Sequence, residues 1–508
     1  MKQLPSSYAE LTEMIHAQDG TRYPAKTLVT MELQPGYERA KTKMIFPMLA
    51  INEAHLIMLM EQNIVSRETG ALIMKELESI NYAGYTDHTY TGQFEDLFFE
   101  IEHELIERTG GLGGNLHLAR SRNDMCLCLA HIVIREELLD LIRIALEVQN
   151  TLRLFAEEHR DTLYVVHTHT QHAQPSVLGH YFLGAADLLD RDISRMQRAY
   201  EQVNRSPMGA AAITTSGFPI DRQRVSDLLG FAGFIENSYD AIGNADFFTE
   251  TASAVSLAAL NLGRVVTDLI LWATEELHVI RVADGYISTS SIMPQKRNPI
   301  ALEHLRASLS AVKGLADSVN LVFFKSPYGD ISDYEDAEDH ISRTLELLKT
   351  NYRLFNAVMG TLEVDRELLR RRAHESFSVV TEMADEMYRS YGIPFRQAHH
   401  VVASLVKEAG ARGYNLKSIS RDFFAEVYEN ITGQAFAGDF SAIQKSMDPD
   451  HFVRSRDVAG GTSPQAIQYM IASAEKKIAR RRDWIAAEEN RIDQADKKRE
   501  TLVSSIIK

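Results

Sequence analysis

Disulfide chemistry is all but excluded, because the chain has only two cysteines, Cys126 and Cys128. Two positions apart on a helix they point to different faces, so no disulfide is expected and a reducing, cytoplasmic setting fits. An excess of basic charge is also missing. Against 54 lysines and arginines stand 70 aspartates and glutamates, for a net charge of −16. Phosphate backbones need basic surface, so no nucleic-acid partner is expected, whereas an anionic small molecule needs only a local basic pocket. No uncharged apolar run reaches the roughly 18 residues of a membrane span. The first residues, MKQLPSSYAELTEM, lack the apolar core of a secretory signal, so no membrane partner is expected either. Internal repeats and low-complexity stretches are absent. What is there, 45% apolar and 24% charged residues over 508 positions, suits a large protein with a substantial core.

Helical periodicity dominates. Phe94, Leu97, Phe98, Ile101 and Leu105 form one apolar stripe that stops at Gly110-Gly111. Between Met125 and His159 there is no Gly or Pro, and thirty-odd residues of helix span about 50 Å. Comparable runs cover 176–204, 240–279, 299–325 and 336–361. Period-two alternation is nearly absent, so the predicted fold is all-α, built on a long helical bundle. The stretch TASAVSLAALNLG is small and apolar all round, which predicts burial on every side, in an oligomeric bundle rather than a monomeric one. Composition shifts suggest an N-terminal helical domain (1–124), a central long-helix bundle (125–364) and a C-terminal helical domain (365–508). Thr462-Ser463-Pro464 reads as a helix start, with a hydroxyl cap and proline in the first turn. Beyond it, KKIARRRDWIAAEENRIDQADKKRE mixes both signs and predicts a solvated helix.

Four segments carry residues suited to chemistry. Arg120, Arg122 and Asn123 precede the long helix; guanidinium groups grip carboxylates, although Asn123 or Asp124 could simply cap the helix. His167, His169 and His172 follow in HTHTQHAQP, where the spacing matches no standard zinc site and lacks an acidic or cysteine ligand. A Gly/Ala/Thr-rich loop runs from Ser206 to Arg222 and permits close backbone approach, as a tight packing connection also would. Finally Ser290-Ser-Ile-Met-Pro-Gln-Lys-Arg-Asn298-Pro places two hydroxyls, an ammonium and a carboxamide on one short loop. That set suits a carboxylate whose neighbouring carbon loses a proton.

SSIMPQKRNP resembles the signature of the fumarase/aspartase superfamily, whose members eliminate across a succinyl group to release fumarate. The PQKRN form, RSRND at 120–124, THTQHAQP at 168–175 and FPIDR at 218–222 resemble the argininosuccinate lyase branch, as does AGGTSPQAI near the C-terminus. The resemblance implies a C–N lyase: β-elimination of an amine from an N-substituted aspartate, reversible and without cofactor or metal. It implies Ser290 as the base, Lys296 and Asn298 on the aci-carboxylate, and Ser291 and Met293 lining the pocket. It further implies His169 in proton transfer, Glu303 pairing with His169, Thr168, Arg122 and Asn123 on the substrate, and a homotetramer whose sites each combine three subunits. Tyr328 matches a substrate-binding tyrosine.

Departures from the family pattern cluster around the leaving amine. Thr289 stands at a usual glycine, Ala245 at an arginine and Phe98 at a histidine, while His167 and His172 replace other residues. GDISDYED (329–336) lacks the lysine and glutamine of the family's stretch and carries Asp330, Asp333, Glu335 and Asp336 instead. The succinyl half is intact and the amine half is not. This leaves three alternatives to plain argininosuccinate cleavage: an ethylenediamine-disuccinate-type aminopolycarboxylate lyase, a catalytically silent relative like the lens crystallins, and a metal-binding protein built on the three histidines.

Overall fold

The computed structural model describes residues 5–508. Its centre is five long helices: α1 (Arg122–Glu158), α2 (Leu178–Val203), α3 (Asp246–Trp272), α4 (Ile300–Phe323) and α5 (Asp333–Met359). Each packs against the next and α5 closes back on α1, so the chain runs up and down between two ends. The all-α expectation holds, and the helical runs appear with small shifts. The run from 240 breaks at Asn244 into Ser238–Gly243 and α3, and the run from 336 starts earlier, at Asp333.

Local sequence accounts for these helices. Ser121 caps α1 through a capping box with Asp124, which satisfies two orphan backbone donors at once. This differs from the expectation that Asn123 or Asp124 would cap, because the serine hydroxyl stands one turn before a carboxylate that reaches back. Leu127, Ile134, Leu138, Leu141, Ala145, Val148 and Leu152 then fill the central core along α1. A second apolar cluster gathers the helices of residues 45–108 with the 208–231 loop, and a third occupies 379–452.

α3 meets its neighbours on most sides, but one stripe stays uncovered: Ser253, Leu257, Leu260, Arg264, Thr267 and Leu271 are exposed. Leu321 and Phe324, at the end of α4, are exposed at 70% and 77%, far more than isolated apolar residues need explain. Among the described residues α3 is also the one helix long and apolar enough to cross a membrane, yet half of its most apolar window is covered by other helices.

The longest hairpin among the described residues was not anticipated. Strands β1 (Leu163–Thr168) and β2 (Gln171–Val177) pair antiparallel directly after α1 ends. Its base is buried and its tip exposed. Gly179 lets α2 start against the end of α1, since a Cβ there would lie 2.4 Å from the Ala156 carbonyl oxygen. The final helix, α6 (Pro464–Ile507), is capped by Ser463 with Pro464 in its first turn. It is less solvated than its charge suggests. Ile467, Ile471, Ile478 and Ile485 join the central core, and its charges pair with neighbouring helices, Arg153–Glu475 at 3.0 Å, Lys477–Asp187 at 2.5 Å and the buried Arg499–Glu53 at 2.7 Å.

Candidate active site

The candidate residues fall at the two ends of the bundle. At the end where α1 begins, Asp124 is fully buried. Its carboxylate accepts hydrogen bonds from Ser121 N–H (2.9 Å), Gly209 N–H (2.9 Å) and Ala211 N–H (3.0 Å). Burial pushes this carboxyl up to about 6, against the pull of the backbone donors. The clamp fixes the 206–222 loop, in which Gly209 and Ala211 both have positive φ. Asn123 Nδ2 donates to Ala212 O at 3.2 Å, so its amide is tied to the same loop.

Arg122 is already engaged. Its guanidinium pairs with Glu95 and Asp96, each at 2.8 Å, and lies 4.9 Å over the Phe99 ring. Burial opposes its charge, but Asp96 and Glu95 outweigh that and hold it above its usual value. Both carboxylates compete with a substrate carboxylate for this guanidinium. Tyr328 closes this end: its hydroxyl donates to Asp240 at 2.8 Å and its carbonyl accepts from the Tyr239 hydroxyl at 2.9 Å. Partial burial, then the Asp240 carboxylate, push the phenol up to about 12. Gly243 makes the fit possible, since a Cβ there would lie 2.9 Å from the Tyr328 ring.

The acidic stretch is only partly aimed inward. Asp333 accepts from the Ser326 hydroxyl at 2.6 Å at the start of α5. Burial raises the Asp330 carboxyl while Arg122 lowers it. Glu335 is pushed up to about 7 by burial and by facing Glu32, and Glu338 up to about 8, chiefly by burial. Glu32, Glu95, Asp96, Glu335 and Glu338 line, with Arg39 and Arg122, a cavity of about 120 Å³. The thiol of Cys126 on its wall is pushed up to about 12 by burial, which makes it a poor nucleophile.

At the other end lie the hairpin tip and the signature loop. Thr168 ends β1, and His169 (φ 51°) and Thr170 (φ 63°) form the turn. The three hairpin imidazoles form no metal-ligating trio. Among the described residues the one trio with metal-ligating geometry is His374, Asp448 and Asp450, and both oxygens of Asp450 already accept from Arg370, at 3.2 and 2.6 Å.

The signature loop stands on a two-rung ladder, Ser288 opposite Asn298 and Thr289 opposite Arg297. Arg297 anchors its foot to Asp284 at 2.6 Å and to the Val282 carbonyl at 3.0 Å. Asn298 Nδ2 donates to Ser288 Oγ at 3.3 Å. Above this, Ser290 Oγ accepts from the N–H groups of Ile292 (3.3 Å) and Met293 (3.1 Å), and Lys296 N–H closes the turn onto Met293 O at 3.0 Å. Two backbone donors on one hydroxyl oxygen are what a serine needs to act as a base, because they stabilise the alkoxide. Ser291, Ile292, Met293 and Lys296 are exposed, as is Glu303 in the first turn of α4. Among the described residues no hydrogen bond or ion pair joins Glu303 to His169 within one chain.

The two ends are far apart. α1 has 37 residues, about 55 Å, and the hairpin that starts at its far end is about 20 Å long. Thr168 and His169 therefore stay more than about 30 Å from Asn123 in the same chain. Sequence reasoning took Asp124 only as a possible cap, missing its hold on the 206–222 loop, and missed the supporting residues Asp240, Asp284 and Ser288. Only Asp124 left a signal, the Ser-x-x-Asp spacing from Ser121.

A family model described as lyase matches residues 71–314, and one described as argininosuccinate lyase C-terminal matches 377–454. Argininosuccinate lyase 2 of Agrobacterium fabrum is 36% identical over 470 residues, covering 91% of this chain and 92% of that protein. The argininosuccinate lyase of Methanothrix thermoacetophila is 35% identical over 445 residues, 88% of this chain and 90% of the relative. Among solved structures, EDDS lyase in complex with formate aligns with a TM-score of 0.84 at 27% identity, over 97% of this chain and 98% of that one. An EDDS lyase variant with bound fumarate gives 0.84 at 28%, over 94% and 93%. A class II fumarase of Schistosoma mansoni, 16% identical with a TM-score of 0.66 over 82% and 91%, shares the fold.

Proposed function

The chain belongs to the argininosuccinate lyase branch of the fumarase/aspartase superfamily, and from that premise we propose that it is a C–N lyase releasing fumarate from an N-substituted aspartate. The observation that carries this reading is the Ser290 oxygen held under two backbone N–H groups on an exposed loop. In the proposed reaction Ser290, as alkoxide, takes the β-proton of the succinyl group. The electron pair passes into the adjacent carboxylate, where Lys296 and Asn298 stabilise the aci-carboxylate, with Ser291 and Met293 beside it. Collapse expels the amine, which receives a proton by way of His169, whose imidazole Glu303 orients. Thr168, Asn123 and Tyr328 hold the substrate, and Arg122 joins them by exchanging a carboxylate partner.

These groups meet only if several chains combine, so we take the protein to be a homotetramer acting in the cytoplasm. The distance between the bundle ends, and the exposed Leu257, Leu260 and Leu271 on α3, support that assembly. The domain division 1–124, 125–364 and 365–508 is part of the same proposal, with the middle segment supplying most catalytic groups.

The amine is the finer question. The departures at 329–336, where Asp330 and Asp336 stand in a stretch that lacks the family's lysine and glutamine, favour a cationic leaving amine without a further carboxylate, which argues against arginine as the best leaving group. The reading that argininosuccinate is the substrate is favoured by the 36% identity to an argininosuccinate lyase. Fumarate release, followed at 240 nm, decides between them when argininosuccinate is compared by kcat/KM with aspartate adducts of several diamines. The diamine adducts are expected to be better. Argininosuccinate leading by tenfold or more would overturn the finer reading, and no release from any adduct would favour the silent relative.

A further inference from the structure

His167 and His172, which the proposed reaction does not use, face each other across the hairpin immediately behind its tip. They are Cα partners in the ladder, and their rings meet edge to face with centroids 5.0 Å apart. The tip they flank is strained. Two-residue hairpin turns with both central residues at positive φ favour Asn-Gly. Here the pair is His169 and Thr170, and a β-branched residue in that region is an outlier.

The backbone does little to hold it. The register slips between Val165 and His167, and Val165 stands opposite Pro175, which has no N–H to donate. Only the rungs His167–His172 and Thr168–Gln171 lie beyond the slip. Side chains take over instead. The Tyr164 hydroxyl lies 3.3 Å from His167 Nδ1, and the Tyr164 ring packs edge-on against Trp272 at 5.4 Å. A continuous series of rings thus runs from the end of α3 to the tip. Burial, and then the neighbouring His172, hold His167 below the usual imidazole range, favouring a neutral ring in this contact.

The geometry points to the His167–His172 pair as a positioning clasp: it holds the strained turn so that Thr168 and His169 project correctly toward the site. The inference rests on the proposed role of His169, and its action is through that residue rather than on the substrate. Its requirement is an aromatic ring at 172, not an imidazole.

The experiment compares His172→Ala, His172→Phe and His169→Asn in the assembled full-length protein, using fumarate release from the N-substituted aspartate that the parent cleaves best. Hydrogen exchange of the peptide covering 163–177 is measured on the same samples. His172→Ala should lower kcat about tenfold with KM changed less than about threefold, since loss of orientation acts on the reacting geometry. Its hairpin amides should exchange about tenfold faster. His172→Phe should restore both. If His172→Ala matches the parent in kcat and exchange while His169→Asn is inactive, the clasp is wrong and the site reading survives. If His169→Asn keeps parental kcat, both fall together.

Discussion

Replacing Asp124 by alanine should destabilise the protein and disable it at the same time. The side chain is wholly buried and accepts three backbone N–H groups, from Ser121, Gly209 and Ala211, at 2.9 to 3.0 Å. Hydrogen bonds to a charged acceptor contribute about 1.5 kcal/mol each after the exchange with water, so the joint loss of all three costs about 4.5 kcal/mol. Asparagine keeps an acceptor oxygen for Gly209 and Ala211 but turns its N–H₂ toward the Ser121 donor, for a loss of about 2 kcal/mol. The consequence for the site follows from the same bonds. Without the clamp, Gly209 and Ala211 leave their positive-φ conformation, and the Asn123–Ala212 contact goes with them. Urea unfolding monitored by circular dichroism, together with kcat from fumarate release, tests this. We expect a clearly lower urea midpoint for both variants and a fall in kcat of at least about tenfold. An Asp124→Ala protein with parental midpoint and parental kcat would refute the clamp as the organiser of this end.

Three further outcomes are expected. Ser290→Ala should cut kcat by at least about 10²-fold with little change in KM, because the loss is confined to the transition state; near-normal steady-state turnover would remove Ser290 from the mechanism. Thr170→Gly relieves about 1 kcal/mol of left-handed strain, so hairpin amides should exchange about fivefold more slowly, with kcat within twofold of the parent. Faster exchange in that variant would mean that the threonine is not strained. Glu338 is raised from 4.5 to about 8 in the folded state, so the folded protein prefers it protonated. Its contribution is fully present below about pH 4.5 and is lost as pH rises through about 8. Glu338→Gln should therefore match the parent at low pH and exceed it in urea resistance at pH 9; a variant weaker than the parent at pH 9 would contradict the assignment.

The sequence made the helices and the chemical motifs legible for one physical reason: both are local. The stripe along α1 has a 3.6-residue period, and the loop from Ser290 to Asn298 carries its reactive groups within nine consecutive positions. What escaped was non-local or two-sided. The β1–β2 hairpin went unseen because HTHTQHAQPS lacks alternation of apolar and polar residues, its tip being exposed on both faces. The Asp124 clamp bridges residues 85 and 87 positions apart, a pairing that no local pattern announces. α6 was expected to be solvated because its charges mask an isoleucine every seventh position, at 471, 478 and 485. Arg122 was taken as free to bind substrate, and its engagement by Glu95 and Asp96 depends on a helix start that only the fold brings alongside.

Mixing two disabled variants tests the central claim most directly. Asn123→Ala and Ser290→Ala should each be nearly inactive in fumarate release. Denatured together at equal amounts and reassembled, they form sites that draw residue 123 from one chain and residue 290 from another. An intact pair then arises with a chance of one half for each, so about a quarter of parental kcat should return. If each site were contained in a single chain, every site would keep one defect. Activity in the reassembled mixture no higher than in either variant alone would contradict the shared lyase site.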